Sequence, residues 1–201
     1  MPRKNIPIII GESYHIFNRG TDKRDIFNDK FDYLRFYDSL AYFNSIEPVK
    51  NYRLAKSSFD KSSEKLVNIK AYSLLPNHFH LILIPLVENG ISNFIKRVSG
   101  GYTSYFNERN YRTGVLFQGK YKKVHISTNE QYQYLFAYVN ENHYVHNIQI
   151  ERQLYHSSSM YYQGLVKSKI LNENLNYDFQ NNKDLAISIF QKRKGLTDLH
   201  E

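Results

Sequence analysis

Apolar residues recur along the chain with two periods, and the change from one to the other divides it into elements. Tyr14-His-Ile-Phe-Asn-Arg19 reads as a first strand, ended by Gly20. Tyr33, Phe36, Tyr37, Leu40 and Phe43 fall at helical spacing and predict a helix from about Phe31 to Phe43. Asn28 or Asp29 can cap that helix, and Pro48 stops any continuation. Residues 55–65 are polar and rich in Ser and Lys, so an exposed loop is expected. Val67 to Leu75 and His78 to Pro85 are apolar runs of strand character, parted only by Pro76-Asn77, and predict a hairpin. Ile91, Phe94, Ile95, Val98, Tyr102 and Tyr105 predict a second helix, from Ile91 to about Asn107, that Gly100-Gly101 should kink or split. Asn110 to Gly119 reads as a loop and Gly119 to Ile126 as a fourth strand. Ser127-x-x-Glu130 has the form of a capping box and opens a third helix through about His146. Beyond Gln149 the pattern weakens; a short helix near Asp184 to Lys192 and a mobile end are expected.

The resulting order is β-α-β-β-α-β-α. Its first six elements match the ferredoxin-like split βαβ arrangement, an antiparallel sheet with two helices on one face. The expected fold is therefore α+β: that sheet and its two helices, plus a C-terminal helix. The sequence divides into a domain over residues 1–150 and a partly helical extension over 151–201. No internal repeat or low-complexity block is visible.

Composition narrows the function classes. The 201 residues suffice for one domain with a proper core, and 41% apolar with 23% charged residues predicts a folded, soluble chain. No apolar run approaches the ~20 residues needed to span a bilayer. Ile6 to Ile10 is too short for a signal-peptide core and no small-residue cleavage site follows, so a cytoplasmic protein is expected. The absence of cysteine excludes disulfides, thiolate metal sites and cysteine nucleophiles, leaving His, Asn, Gln, Asp and Glu to hold any metal.

A net charge of +8 favours a polyanionic partner, nucleic acid first among them. Lys96, Arg97, Arg109, Arg112, Lys120, Lys122 and Lys123 stand in residues 96–123 against Glu108 alone, so most of the excess sits in one stretch, as phosphate contacts require. Any one of these cations could equally belong to a solvated face. The 18 Tyr and 13 Phe suit stacking on unpaired bases. Tyr121 lies among the cations, as do Tyr102 and Tyr105, which also fit the buried stripe of their helix. Arg19, Lys23 and Arg24 are weaker candidates for phosphate contact.

The chemistry concentrates in Pro76-Asn77-His78-Phe79-His80. Strand side chains alternate, so His78 and His80 share a face with Phe79 opposite. Two imidazoles on one side of a rigid strand can form a pair of metal ligands, though short motifs also occur as plain polar residues on a solvated strand. In the third helix Tyr138 and Asn142 are four apart and share a face, with Leu135, Phe136 and Val139 at other angles to anchor the helix. Tyr138 and Asn142 can thus point toward the histidines, or lie at the surface. His15, His125, His146 and His156 read as ordinary hydrogen-bonded histidines.

Several motifs together resemble the single-tyrosine HUH transposases, in their REP-associated tyrosine transposase branch. They are Tyr14-His-Ile-Phe-Asn-Arg-Gly20, Arg24-Asp-Ile-Phe27 with Asp32-Tyr33, and Leu75-Pro-Asn-His-Phe-His-Leu81. Gly101-Tyr-Thr-Ser-Tyr-Phe-Asn107, Leu116-Phe-Gln-Gly-Lys-Tyr121 and Tyr138-Val-Asn-Glu-Asn142 follow in the family's order. The stretch from Tyr155 to Gly164 resembles the segment after the catalytic helix. The resemblance, over roughly residues 12–164, implies His78 and His80 as metal ligands, Tyr138 as nucleophile and Asn142 as third ligand. It implies Mg²⁺ or Mn²⁺, a substrate of single-stranded DNA near a hairpin, and cleavage and rejoining through a 5′-phosphotyrosine. Imidazole ligands suit Mn²⁺ somewhat better than Mg²⁺. A phenol, with a pKa of about 10, is a poor nucleophile at neutral pH, so help from a metal is in keeping with that chemistry. A phosphotyrosine conserves the energy of the broken bond, which agrees with the absence of a Gly-x-x-x-x-Gly-Lys-Ser/Thr phosphate loop.

One position departs from the family. His143 stands where a helix-ending Pro commonly follows the Asn, so the helix can run on and Glu141 or His143 become rival ligands. Three other functions compete with a transposase. A domesticated protein could bind hairpins without cleaving them, and a replication or conjugation nickase would use the same chemistry. A non-haem iron oxygenase would need Glu141 to join the two histidines. Either a monomer or a homodimer with exchanged tyrosine helices fits the resemblance.

Overall fold

The computed structural model describes residues 7–146, 156–171 and 177–197. The 150–151 domain boundary, Tyr155 and the last four residues lie outside them.

Five antiparallel strands form the sheet: β1 (Ser13–Arg19), β2 (Val67–Leu75), β3 (His78–Pro85), β4 (Lys122–Ile126) and β5 (His156–Ser157). Their order is β4-β1-β3-β2-β5, which puts the His-x-His strand at the centre. The β2–β3 hairpin has the bounds its hydrophobic pattern predicts. Its two-residue connection is held from outside, because Ile26 N–H and Phe27 N–H donate to the Pro76 carbonyl at 2.7 and 3.0 Å.

One face of the sheet carries Tyr14, Ile16, Tyr72, Leu74, Phe79, Leu81 and Leu83, and packs into the main core with the helices α1 (Lys30–Tyr42) and α3 (Gly90–Arg109). Asp29 caps α1, its carboxylate accepting from Phe31 N–H and Asp32 N–H. From α1, Tyr33, Phe36, Tyr37 and Leu40 are buried, as their spacing predicts. Each such side chain removes enough apolar surface from water to contribute about 1.5–3 kcal/mol.

The expected kink in α3 does not occur: it runs unbroken through Gly100-Gly101. Gly101 is there for close approach. A Cβ at that position would lie 2.8 Å from the Phe43 ring, so glycine lets Phe43 seat against the helix.

The opposite face is covered by α4 (Asn129–Asn140), α5 (Asn142–Val145) and α7 (Phe179–Thr197). Phe136 and Val139 of α4 and Ala186 and Ile189 of α7 form a second core with Ala71, Ile82 and Ile126 of the sheet. The sheet is thus covered on both sides.

Further boundaries differ from the sequence reading, among them that of α7, which runs over Phe179–Thr197 where a short helix near Asp184 to Lys192 is expected. A short helix, α2 (Tyr52–Ser57), enters the expected loop because Asn51 caps it, accepting from Leu54 N–H. Strand β4 starts at Lys122, after a turn in which Gly119 takes φ +70°. Thr128 rather than Ser127 caps α4, accepting from Gln131 N–H at 3.1 Å while Gln131 Oε1 accepts from Ser127 N–H at 2.9 Å. The expected continuous helix to His146 breaks at Glu141, whose ψ of 31° ends α4 before α5 begins.

Candidate active site

Strand alternation turns His78 and His80 to the α4 face of the sheet. The register sets Arg19 and Phe17 of β1 directly opposite them. The two imidazoles stand edge to face with centroids 5.0 Å apart, and both are buried.

Both histidines have Nδ1 committed to a neighbour. The Asn77 amide donates to the Lys23 carbonyl at 3.1 Å, which turns its Oδ1 toward His78, and His78 Nδ1–H donates to that oxygen at 2.6 Å. The tautomer so fixed puts the lone pair on Nε2, and His78 Nε2 is buried with no hydrogen-bond partner. His80 Nδ1 shares a 2.9 Å hydrogen bond with Nε2 of His15, and the two rings stack at 17°. Burial pushes His15 down to about 4. Burial, with His146 and Arg19 adding to it, pushes His78 down to about 3. Both are therefore neutral at pH 7, the state in which imidazole accepts a hydrogen bond or binds a metal. His15 and Asn77 stand where the orienting partners of ligand histidines stand.

Tyr138 reaches this cluster from α4. Its ring meets His80 edge-on at 5.3 Å and His15 at 6.0 Å. His78, His80 and Tyr138 line one cavity of about 260 Å³, together with Phe17, Asn18, Arg19, Gln118, Lys122 and His146.

Asn142 is fully buried. Its amide donates to the Tyr138 carbonyl at 2.9 Å, and its Oδ1 is buried with no hydrogen-bond partner. Asn142, Glu141 and His143 all lie outside the cavity lining. Glu141 Oε1 accepts from the hydroxyls of Ser159 and Tyr177, and burial holds its carboxyl above the usual range. His143 lies 3.9 Å from Glu141, and burial pushes it down to about 4. The carboxylate that an iron oxygenase site would need is turned away from the histidines.

The end of α4 is stitched to the sheet edge by Ser157, Ser158 and Ser159. The Ser157 hydroxyl donates to the Asn140 carbonyl at 3.0 Å and the Ser158 hydroxyl to Asn140 Oδ1 at 2.5 Å. Tyr72 N–H donates in turn to Ser158 Oγ at 2.9 Å, so β2 and the tyrosine helix are held by one serine.

His15 and His146, read from sequence as ordinary histidines, both belong to this site. The nitrogens that His78, His80 and His146 can offer a metal lie within 4.8 Å of one another. Two signals were available: His15 alternates onto the face of β1 that pairs with the His-x-His strand, and His146 is four residues past Asn142. The orphaned His78 nitrogen, the orphaned Asn142 oxygen and the imidazole cluster fit a divalent metal ion.

The seven basic candidates separate by residue type. The arginines hold the scaffold. Arg109 pairs with Asp29 and with fully buried Asp32, Arg97 donates to the Ser45 and Glu47 carbonyls, and Arg112 donates to Asn107 and the Val115 carbonyl. The lysines line two clefts. Lys122 lines the cavity of His78, His80 and Tyr138, whereas Lys96, Lys120 and Lys123 line a groove of about 1230 Å³ with Tyr121. Asn18 lines both, so groove and cavity adjoin. Tyr102 and Tyr105 serve the fold, donating to the Ile26 carbonyl and to Asp32.

Fold and site define a class: a split βαβ sheet presenting a histidine pair to a tyrosine carried on a helix across its other face. Residues 11–142 match the family described as IS200-like transposases, and the chain belongs to that family. It is a transposase, an enzyme of DNA transposition. No curated protein matches it in sequence. Among solved structures, it is similar to a REP-associated tyrosine transposase bound to a REP hairpin, with TM-score 0.58 and 13% identity over 89% of this chain and 96% of that one. A candidate transposase from Deinococcus radiodurans aligns with TM-score 0.39 and 16% identity, covering 73% of this chain and 98% of that one. No helix among the described residues is long and apolar enough to cross a membrane.

Proposed function

We propose that this protein is a metal-dependent, single-strand DNA transposase of the REP-associated tyrosine branch, acting in the cytoplasm. It cleaves and rejoins DNA near hairpins with Tyr138 as nucleophile. The observation that carries the reading is the edge-on approach of Tyr138 to His80 inside one basic cavity.

The Tyr138 oxygen attacks the scissile phosphorus. A bond forms from that oxygen to phosphorus, and the bond from phosphorus to the 3′-oxygen of the flanking nucleotide breaks. The phenol proton leaves to solvent and the departing 3′-oxygen takes one up, giving a 3′-hydroxyl and a 5′-phosphotyrosine. Rejoining reverses the step: a 3′-hydroxyl attacks the phosphotyrosine and the Tyr138 oxygen leaves, with no nucleotide triphosphate consumed.

His78, His80 and Asn142 would hold Mg²⁺ or Mn²⁺, which when bound neutralises phosphate charge and polarises phosphorus toward attack. Arg19 and Lys122 line the same cavity and supply fixed positive charge beside the phosphate. Asn77 keeps His78 in the tautomer whose Nε2 lone pair would be offered to the metal, and His15 holds the His80 ring in place through its hydrogen bond to Nδ1. Lys96, Lys120, Lys123 and Tyr121 offer the adjoining groove to the DNA backbone and an unpaired base.

Incubation with hairpin-bearing single-stranded DNA and Mn²⁺ is expected to give a covalent adduct mapping to Tyr138. Loss of a nucleophile costs on the order of 10⁴-fold or more, so Tyr138→Phe should leave no adduct. An undiminished adduct in that variant removes Tyr138 from its role. Tight hairpin binding with no nicking under any divalent metal would instead favour a domesticated binding protein.

A further inference from the structure

We infer that His146 is a protein ligand of the same metal ion, so that the centre is built on three imidazoles rather than two. The inference rests on the metal site proposed above and deepens it.

Three independent features of the chain converge on this histidine. Its ring meets that of His78 at 5.0 Å, inclined at 70°. Its nitrogen falls within 4.8 Å of those of His78 and His80, close enough for one ion to bridge all three. It lines the cavity with Tyr138, whereas Glu141, Asn142 and His143, the neighbours that the sequence offers as third ligand, do not.

The local fold explains how His146 arrives. Tyr138, Asn142 and His146 are spaced four apart, so an unbroken helix would let the last of them drift around the axis. The break at Glu141 restarts the helix as α5, and His146 caps its end with its own N–H donating to the Asn142 carbonyl at 3.1 Å. The buried Glu141, gripped by Ser159 and Tyr177, sets where that restart happens.

The chemical consequence concerns which metal is taken. Oxygen ligands and water suit Mg²⁺, and each imidazole added moves a site toward Mn²⁺ and later first-row ions. A third imidazole therefore makes this centre selective for Mn²⁺ over Mg²⁺ beyond what the His-x-His pair supplies.

The test is direct metal binding by the full chain, with Mn²⁺ and Mg²⁺ titrated separately and no DNA present. His146→Ala should weaken Mn²⁺ binding by about 10–100-fold, in the range that perturbing a ligand's own support already costs, while Mg²⁺ binding changes less, so that selectivity narrows. Cu²⁺ bound to the native chain should show three imidazole nitrogens by electron spin echo modulation, and two in His146→Ala. His146→Gln with an unchanged melting curve guards against a folding defect. Mn²⁺ affinity and nitrogen count unchanged in His146→Ala, beside clear loss in His80→Ala, overturns this inference and leaves the His78–His80 site standing. Failure of the native chain to bind Mn²⁺ or Cu²⁺ at all overturns both.

Discussion

Toward α1 and α3 the strands present Tyr14, Ile16, Tyr72, Leu74, Phe79, Leu81 and Leu83, none more than 1% exposed. Toward α4 and α7 the same three strands present His15, Ser73, His78 and His80, all buried, beside Ala71 and Ile82. One face is filled with groups that gain by leaving water, and the other with groups that lose by it unless they find partners. The second face supplies many of those partners locally: Asn77 for His78, His15 for His80, and three serines for the end of α4. The first face determines that the protein folds. The second carries a stability cost, because buried polar atoms such as His78 Nε2 and Asn142 Oδ1 are left without hydrogen-bond partners.

The comparison can be broken most strongly from the apolar side. Phe36 packs on Phe27, Phe79 and Tyr102 with ring centroids 5.1 to 5.2 Å apart. Phe36→Ala is expected to cost about 3–5 kcal/mol in urea unfolding, while the Mn²⁺ affinity of the molecules that remain folded stays as it was. A loss of affinity in proportion to stability would show that the two faces are one unit.

A middle-sized effect comes from the polar side. His15→Ala removes the group that orients His80 and should weaken Mn²⁺ binding about 10–100-fold, or roughly 1.4–2.7 kcal/mol. Isothermal titration reads this, and an unchanged affinity would reduce His15 to a filler of its face. The smallest effect sharpens the position of the tyrosine helix. Thr128→Ala should destabilise by about 1 kcal/mol, and Ser127→Ala by only a few tenths. The reverse order in thermal melts would restore Ser127 as the cap.

Much of this was legible in the chain, and for identifiable reasons. The β2–β3 hairpin could be read to the residue because two apolar runs meet at Pro76-Asn77, and Pro cannot continue a ladder. The strand period alone placed His78 and His80 together. Tertiary contacts hid the rest. Gly100-Gly101 looked like a helix breaker because nothing in the sequence near it shows Phe43 filling the space. Arg97 and Arg109 looked like phosphate contacts because their partners, the Ser45 carbonyl and Asp29 among them, are distant in sequence. The sequence does not show His15 and His146 beside the histidine pair because each joins it only when two elements meet.

The stitching of α4 has a consequence for how copies of this chain could share a tyrosine. Ser157, Ser158, Ser159 and Tyr177 all grip the end of α4 or the Glu141 kink, and Ala186 and Ile189 pack against the same helix layer. A tyrosine helix lent to a partner would have to carry β5, α6 (Ser159–Tyr162) and α7 with it, or abandon them. The smallest movable piece is then not a helix on a hinge but the whole assembly from α4 onward, including the strand that closes the β2 edge. Such an exchange would be slow and all-or-none. Mixed preparations of Tyr138→Phe and His80→Ala chains should therefore gain activity over a long incubation or not at all.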